Sequence, residues 1–296
     1  MAHVVAICGD LHCGSTVGLC PPEGLELDDG GMYEPSDAQE WLWGCWEDAW
    51  KQAKSIIGRD KFTLVLNGDL IDGDHHRTAQ IASPLTGIHA RCAMESLRVP
   101  LALKPSAIHV VRGTPVHVGR SGEVEEGMAR GLKNQLYPVI KDPDTGTFSS
   151  YRRRLDVDGI RLDIAHHGRM GQRAHTRGSY SRLYGFDIWA EQALDLINEA
   201  SLATDPDELW EIWNRKRVSQ IAIRSHNHKF QDSGHDHRGS TRVISMPAFQ
   251  LATEYVHRIA AESLADIGIV ILVCHEGEVD VRPLLFNPGR STVIET

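Results

Sequence analysis

Four short apolar runs in this chain each stop at a polar, chemistry-bearing residue, and that repeated pattern restricts the possible folds more than any bulk property. Val4 to Cys8 runs into Gly9-Asp10, and Phe62 to Leu66 into Asn67-Gly68-Asp69. Ile108 to Val111 runs into Arg112-Gly113-Thr114, and Leu162 to Ala165 into His166-His167-Gly168. Runs of this length, rich in β-branched residues and followed by glycine, read as buried strands that deliver polar groups at their C-terminal ends. Helical spacing and caps predict helices at Asp37 to Ile57, Gly87 to Leu103, Gly122 to Leu136, Asp187 to Glu199 and Asp207 to Arg217. The first of these is rich in tryptophan (Trp41, Trp43, Trp46, Trp50), which reads first as a packing face.

The C-terminal part is predicted to be mainly strands: Ile221 to Arg224, Thr241 to Ser245, Ile267 to Val273 and Glu278 to Leu285. Early strand-helix alternation followed by this strand-rich part predicts one α/β domain over residues 1–296, with helices outside packed sheets and a loop and helix insertion at about 17–57. The segment after His167 reads as a loop as far as Arg182, and Pro21 to Pro35 as a long loop. A chain of 296 residues, 41% hydrophobic and 24% charged, can bury a large core, which excludes disorder, a coiled coil and a small disulfide scaffold. The cysteines form no CxxC pair, so a reducing, cytoplasmic location is expected, and Met1 to Gly9 reads as a strand rather than a signal segment. The longest apolar run, Ile269 to Cys274, is far below the roughly 18 residues that span a bilayer, so no membrane partner is expected. A net charge of −9 disfavours nucleic-acid binding by bulk electrostatics, although Arg112 to Arg182 carries an excess of basic residues that leaves room for a local patch. Within it, Arg152-Arg153-Arg154 reads as an exposed charged stretch.

The polar ends of the strands carry the chemistry. In an extended chain, residues i and i+2 point to the same side, so Asp10 and His12 can grip one cation with a carboxylate and an imidazole. His226 and His228 repeat the spacing with two imidazoles, while Asp69 and either His166 or His167 end two further strands. Any one of these groups alone reads as polar capping of a strand end. Together, at strand ends that converge on one sheet edge, they point to a metal centre.

With these motifs in place, the chain resembles the calcineurin-like metallophosphoesterases, whose pattern is D-x-H, G-D-x-x-D, G-N-H-D/E, a lone H and G-H-x-H. The matching segments are Asp10-Leu11-His12, Gly68-Asp69-Leu70-Ile71-Asp72, His166-His167 and Ser225-His226-Asn227-His228. The resemblance implies a four-layer α/β/β/α sandwich with two divalent metal ions. Asp10, His12 and His228 would hold one ion, Asp69 would bridge, and His166 and His226 would hold the other, with Asp72 in support through hydrogen bonds. The implied activity is hydrolysis of a phosphodiester or phosphomonoester, by a phosphodiesterase or nuclease, with a nucleotide or nucleic acid as substrate. A small-nucleotide phosphatase is the alternative, and a non-catalytic binding scaffold is the alternative of another class. A donor set of carboxylates and imidazoles without thiolates suits Mn²⁺ first, then Fe, Zn²⁺ or Mg²⁺. The Gly113-Thr114 segment with His117, and the Trp-rich helix, also resemble bacteriophage-encoded members of the family.

The third motif departs from the family. Thr114 stands where the family has an Asn ligand, and His117 lies two residues beyond the family's His. Either the second ion is held more loosely through the Thr114 hydroxyl, or His117 fills in as a ligand instead of serving as the general acid for the leaving oxygen; a catalytic role is expected for His117, alongside Asp69. His166, the first residue past its strand, is the expected ligand; His167, Arg169 and Arg173 are expected to contact substrate, the arginines as phosphate clamps. His75 and His76 read as an exposed loop pair.

Overall fold

A computed structural model describes residues 1–75, 78–168, 174–216, 218–234, 240–259 and 264–288, with the backbone alone at 174–177, 215–216 and 259. The first half contains β1 (His3–Cys8), β2 (Leu25–Glu26), β3 (Met32–Tyr33), α1 (Asp37–Ile57), β4 (Lys61–Asn67), α2 (Thr86–Leu101), β5 (Ala107–Val111), α3 (Pro115–Val118), α4 (Glu123–Asn134) and β6 (Ser149–Ser150). The second contains β7 (Arg152–Val157), β8 (Ile160–Ala165), α5 (Ala174–Ala200), α6 (Pro206–Lys216), β9 (Ile221–Arg224), β10 (Gln231–Asp232), β11 (Arg242–Ser245), α7 (Glu254–Ile259), β12 (Ile267–His275) and β13 (Glu278–Phe286). The fold is mixed α/β. One sheet has the order β13-β12-β1-β4-β5-β6 and a second the order β10-β11-β9-β8-β7.

The alternation of side chains along each strand explains how the sheets stack. Val4, Ala6 and Cys8 of β1 join a core with α1, α2 and α4, while Val5 and Ile7 join a second core with Leu162, Ile164, Ile221 and Ile223 of the other sheet. A strand covered on both faces reads as an unbroken apolar run, which is why β1 and β4 were visible in the sequence. On the far face of the second sheet, Ala222 and Val243 meet Ile188 of α5. The N-terminus of α1 is fixed by a capping box between Ser36 and Gln39. Its Trp46 and Trp50 are fully buried, and Trp46 Nε1 donates to the Ser96 carbonyl at 3.0 Å, tying α1 to α2. Trp46, Trp50 and the partly buried Trp43 are therefore packing, whereas Trp41 is exposed.

Several expectations need correction. The segment read as a loop up to Arg182 is helical from Ala174. Its polar first turns hide a helix held by close backbone approach, since a Cβ on Gly185 would lie 2.1 Å from the Thr241 carbonyl oxygen. The Pro21 to Pro35 loop contains the small β2-β3 hairpin. Arg153 is not an exposed charge: it is 4% exposed, with Nη1 3.2 Å from Asp142 Oδ2, because its position in β7 faces inward. All six cysteines are free and buried. Among the described residues no helix is long and apolar enough to cross a membrane.

Candidate metal centre

The loops that follow β1 and β4 are laced together by their backbones. Asp10 N donates to Gly68 O (2.8 Å), His12 N to Asp69 O (3.1 Å), Cys13 N to Leu70 O (3.2 Å) and Asp72 N to Cys13 O (3.0 Å). To fit this lacing the chain enters the left-handed region at Asp10 (φ 49°), His12 (φ 45°) and Asp69 (φ 50°), and it does so again at His226 (φ 70°) and His228 (φ 52°). The rationale that Asp10 and His12, or His226 and His228, share a side of an extended chain is therefore wrong. Both members of each pair are αL residues, a conformation that costs about 1–2 kcal/mol for an L-residue and that persists where the surroundings impose it.

The same lacing brings the residues singled out in the sequence together. His12, His228 and Asp10 form one group: His12 Nε2 lies 3.2 Å from His228 Nε2, and His228 Nε2 3.2 Å from Asp10 Oδ1. His166, His167 and His226 form a second around the Thr114 hydroxyl, whose Oγ1 is 3.3 Å from His166 Nε2, 3.2 Å from His167 Nε2 and 3.2 Å from His226 Nδ1. Asp69 and Asp10 stand between the groups. Asp69 Oδ2 is 2.9 Å from His166 Nε2 and accepts from Thr114 Oγ1 at 2.8 Å, and Asp10 Oδ1 is 3.8 Å from His166 Nε2. Asp72 lies one layer out, where its Oδ1 meets His12 Nδ1 at 2.9 Å and accepts from Gln250 Nε2 at 3.2 Å. His117 packs its ring against those of His12 and His75, with Nδ1 2.5 Å from the Asp72 carbonyl oxygen. Arg169, Arg173 and His76 lie outside the described residues.

No family model matches this chain, and no curated protein sequence is similar to it. Among solved structures, similar folds include a predicted phosphoesterase from Streptococcus pneumoniae TIGR4, at 10% identity over 96% of this chain and 89% of that one, with a TM-score of 0.34. Haemophilus influenzae NAD nucleotidase is similar at 10% identity over 96% of this chain and 49% of that one, TM-score 0.35. A 5'-nucleotidase from Candida albicans SC5314 is similar at 10% identity over 83% of this chain and 45% of that one, TM-score 0.32. The chain thus spans about half the length of the two nucleotidases.

Those residues fit divalent cations. Asp10 Oδ1 is a fully buried carboxylate oxygen with no aligned hydrogen bond. His12 and His228 present facing ring nitrogens, and Nδ1 of His12 is already committed to Asp72, which leaves its Nε2 with a lone pair in the neutral ring. Burial alone would lower the proton affinity of the His166 ring, yet Asp10 and Asp69 push its pKa up to about 10. Burial alone would likewise raise the Asp69 carboxyl, but the imidazoles of His166 and His12 hold it well below the ordinary carboxylate range. A pocket that raises the proton affinity of an imidazole this far is one that stabilises positive charge.

Sequence reading missed three supports. Glu125 on α4 is completely buried, with Oε1 accepting from Leu70 N (3.2 Å) and Oε2 from Gly113 N (2.7 Å), so one carboxyl braces the loops that carry Asp69 and Thr114. The signal was an acid in helical register with the core residues Met128, Ala129 and Leu132. Gln250 gave no signal, and His75, read as exposed, lies with Nε2 3.4 Å from Asp72 Oδ2. Gly68 shows how tight the centre is: it has φ +81°, and a Cβ there would lie 2.4 Å from His166 Nδ1. Gly68→Ala is expected to cost about 1–3 kcal/mol of stability. A urea midpoint equal to wild type would contradict this crowding.

Proposed function

We propose that the chain is a metal-dependent phosphoester hydrolase with a dinuclear centre, built on a four-layer α/β/β/α sandwich. The observation that carries the reading is the placement of Asp69 and Asp10 between two histidine groups, each group with ring nitrogens turned inward. The helix-sheet-sheet-helix succession of cores supports the layering. In this reading Asp10, His12 and His228 would hold one ion, Thr114, His166 and His226 would face the other, and Asp69 would serve both. When bound, such ions supply a nucleophile from water at neutral pH and neutralise charge on the phosphoryl oxygens. Asp72 orients His12 through its Nδ1, and Asn67 O does the same for His166 Nδ1 at 2.8 Å.

His117 aids the leaving group. The Asp72 carbonyl can only accept, so Nδ1 carries the ring proton and Nε2 carries a lone pair facing the His12 and Asp69 side. Burial and the neighbouring His12 ring lower its pKa to about 4, so the ring is neutral at pH 7; it would take a proton from solvent water at Nε2 and pass that proton to the leaving oxygen, returning to the neutral form. His117→Ala is expected to lower kcat by about 10²-fold or more with metal content unchanged. Loss of a bound ion in that variant would instead make His117 a ligand.

A small substrate is favoured over a long strand. Arg112, Arg152, Arg153 and Arg161 of the basic segment are paired with Glu126, Asp163, Asp142 and Asp156, which neutralises part of the segment's charge. Beside the centre, a cavity of about 620 Å³ bounded by Asp72, His75, Gln80, Tyr255 and Arg258 is of the size that takes a small organic leaving group. We therefore assign a phosphodiesterase acting on small diesters, tested by comparing turnover of bis-p-nitrophenyl phosphate and p-nitrophenyl phosphate. Faster turnover of the monoester would favour the phosphatase alternative.

A further inference from the structure

We infer that His167 is a protein ligand of the second ion, taking the place that a threonine hydroxyl fills poorly; the inference rests on the dinuclear reading above. Thr114 Oγ1 donates its one proton to Asp69 Oδ2. The same oxygen has three imidazole nitrogens around it at 3.2–3.3 Å, those of His166, His167 and His226. His166 Nε2 also lies 2.9 Å from Asp69 Oδ2, so one carboxylate oxygen and one hydroxyl oxygen sit among three imidazoles. His166 Nδ1 donates to the Asn67 carbonyl at 2.8 Å, so Nε2 is the ring nitrogen turned toward Asp69 and the group. Three imidazole nitrogens converging beside a carboxylate form a donor set of the kind that holds a divalent cation.

The spacing agrees. Donor atoms about 2.1 Å from a common ion stand roughly 3.0–3.4 Å apart, between octahedral and tetrahedral arrangements. The distances from Thr114 Oγ1 to the three nitrogens fall in that interval, and the nitrogens themselves lie within 4.8 Å of one another. His167 also has its backbone held in place. The next residue, Gly168, rests directly on the Arg224 side chain, where a Cβ would come within 2.6 Å of Cγ, and Arg224 is anchored to Asp163 at 3.0 Å. The His167 ring, though exposed on one side, therefore presents Nε2 inward from a fixed support. A site with three imidazoles binds imidazole-preferring ions such as Zn²⁺ or Fe²⁺ in preference to Mg²⁺.

The test is a calorimetric titration of metal-stripped, full-length protein with Mn²⁺ and then with Zn²⁺, made on wild type, His167→Ala and the double variant His167→Ala/Thr114→Asn. Wild type is expected to bind two ions. His167→Ala should keep the first affinity and lose at least about tenfold in the second, the lower end of what loss of a merely supporting group costs. The double variant should regain most of the second affinity, because an amide oxygen from Asn replaces the lost ligand; this rescue separates ligation from a general disturbance of the loop. Unchanged second-site affinity in His167→Ala would overturn the inference while leaving the dinuclear reading intact. A wild type that binds no divalent ion would overturn both.

Discussion

Asp163→Ala is expected to destabilise the protein by about 3–5 kcal/mol, the range for removing one partner of a buried charge pair. The Asp163 side chain is wholly buried in the middle of β8 and pairs with Arg152 and Arg224, and it accepts from Gln192 Nε2 of α5 at 2.9 Å. Arg224 is itself only 3% exposed, so truncation strands a buried guanidinium. The effect has a pH signature. Burial alone would raise the Asp163 carboxyl, but the hydrogen bond from Arg152 and the charge of Arg224 hold its pKa below the ordinary value. A carboxyl with a depressed folded pKa contributes stability that is present above its unfolded value of about 3.9 and is lost as pH falls through the folded value. Wild type and variant should therefore differ most near neutrality and converge in acid, as read from urea midpoints across pH. A difference under about 1 kcal/mol at pH 7 would mean that the network contributes no more than a surface pair.

Asp69→Asn is expected to abolish most activity, by about 10³-fold or more, with a folded protein. The isosteric amide can still accept from Thr114 N, which now bonds Asp69 Oδ1 at 2.6 Å, so the loop keeps its shape. The lost element is the negative charge between His166 and the Thr114 hydroxyl, and several kcal/mol of charge stabilisation corresponds to that drop in rate. Activity within tenfold of wild type would remove Asp69 from the bridging position.

Much of this was legible in the sequence, for physical reasons. Strands buried on both faces leave mostly apolar runs, unbroken in β1 from Val4 to Cys8 and interrupted by His109 in β5 and Asp163 in β8, so these strands and the polar groups at their ends could be located. The expected single sheet edge is wrong: Asp10, Asp69 and Thr114 follow β1, β4 and β5 of one sheet, whereas His166 and His226 follow β8 and β9 of the other, and the groups meet where the two sheets come together. The backbone at the centre was not legible. The αL conformations of Asp10, His12, Asp69, His226 and His228 are imposed by contacts distant in sequence, such as Asp10 N to Gly68 O and Phe249 N to Asp10 O. Local pattern favoured an extended chain there and gave the right neighbours for the wrong reason. The start of α5 was hidden because its first turns are polar and its fit depends on Gly185 lying against Thr241. The charge excess of the central segment misled for a related reason: composition counts Arg153 as surface charge, whereas the fold buries it against Asp142, leaving Arg152 and Arg154 exposed as expected.

The most direct test of the central claim is hydrolysis of bis-p-nitrophenyl phosphate by protein stripped of metal with a chelator and then reconstituted with Mn²⁺, Fe²⁺, Zn²⁺ or Mg²⁺. The account predicts no turnover after stripping, recovery with at least Mn²⁺, and no recovery in Asp69→Asn. Turnover that survives chelation, or the absence of turnover of either the diester or p-nitrophenyl phosphate with every ion, would contradict it, and the latter result together with an absence of metal binding would leave a binding scaffold.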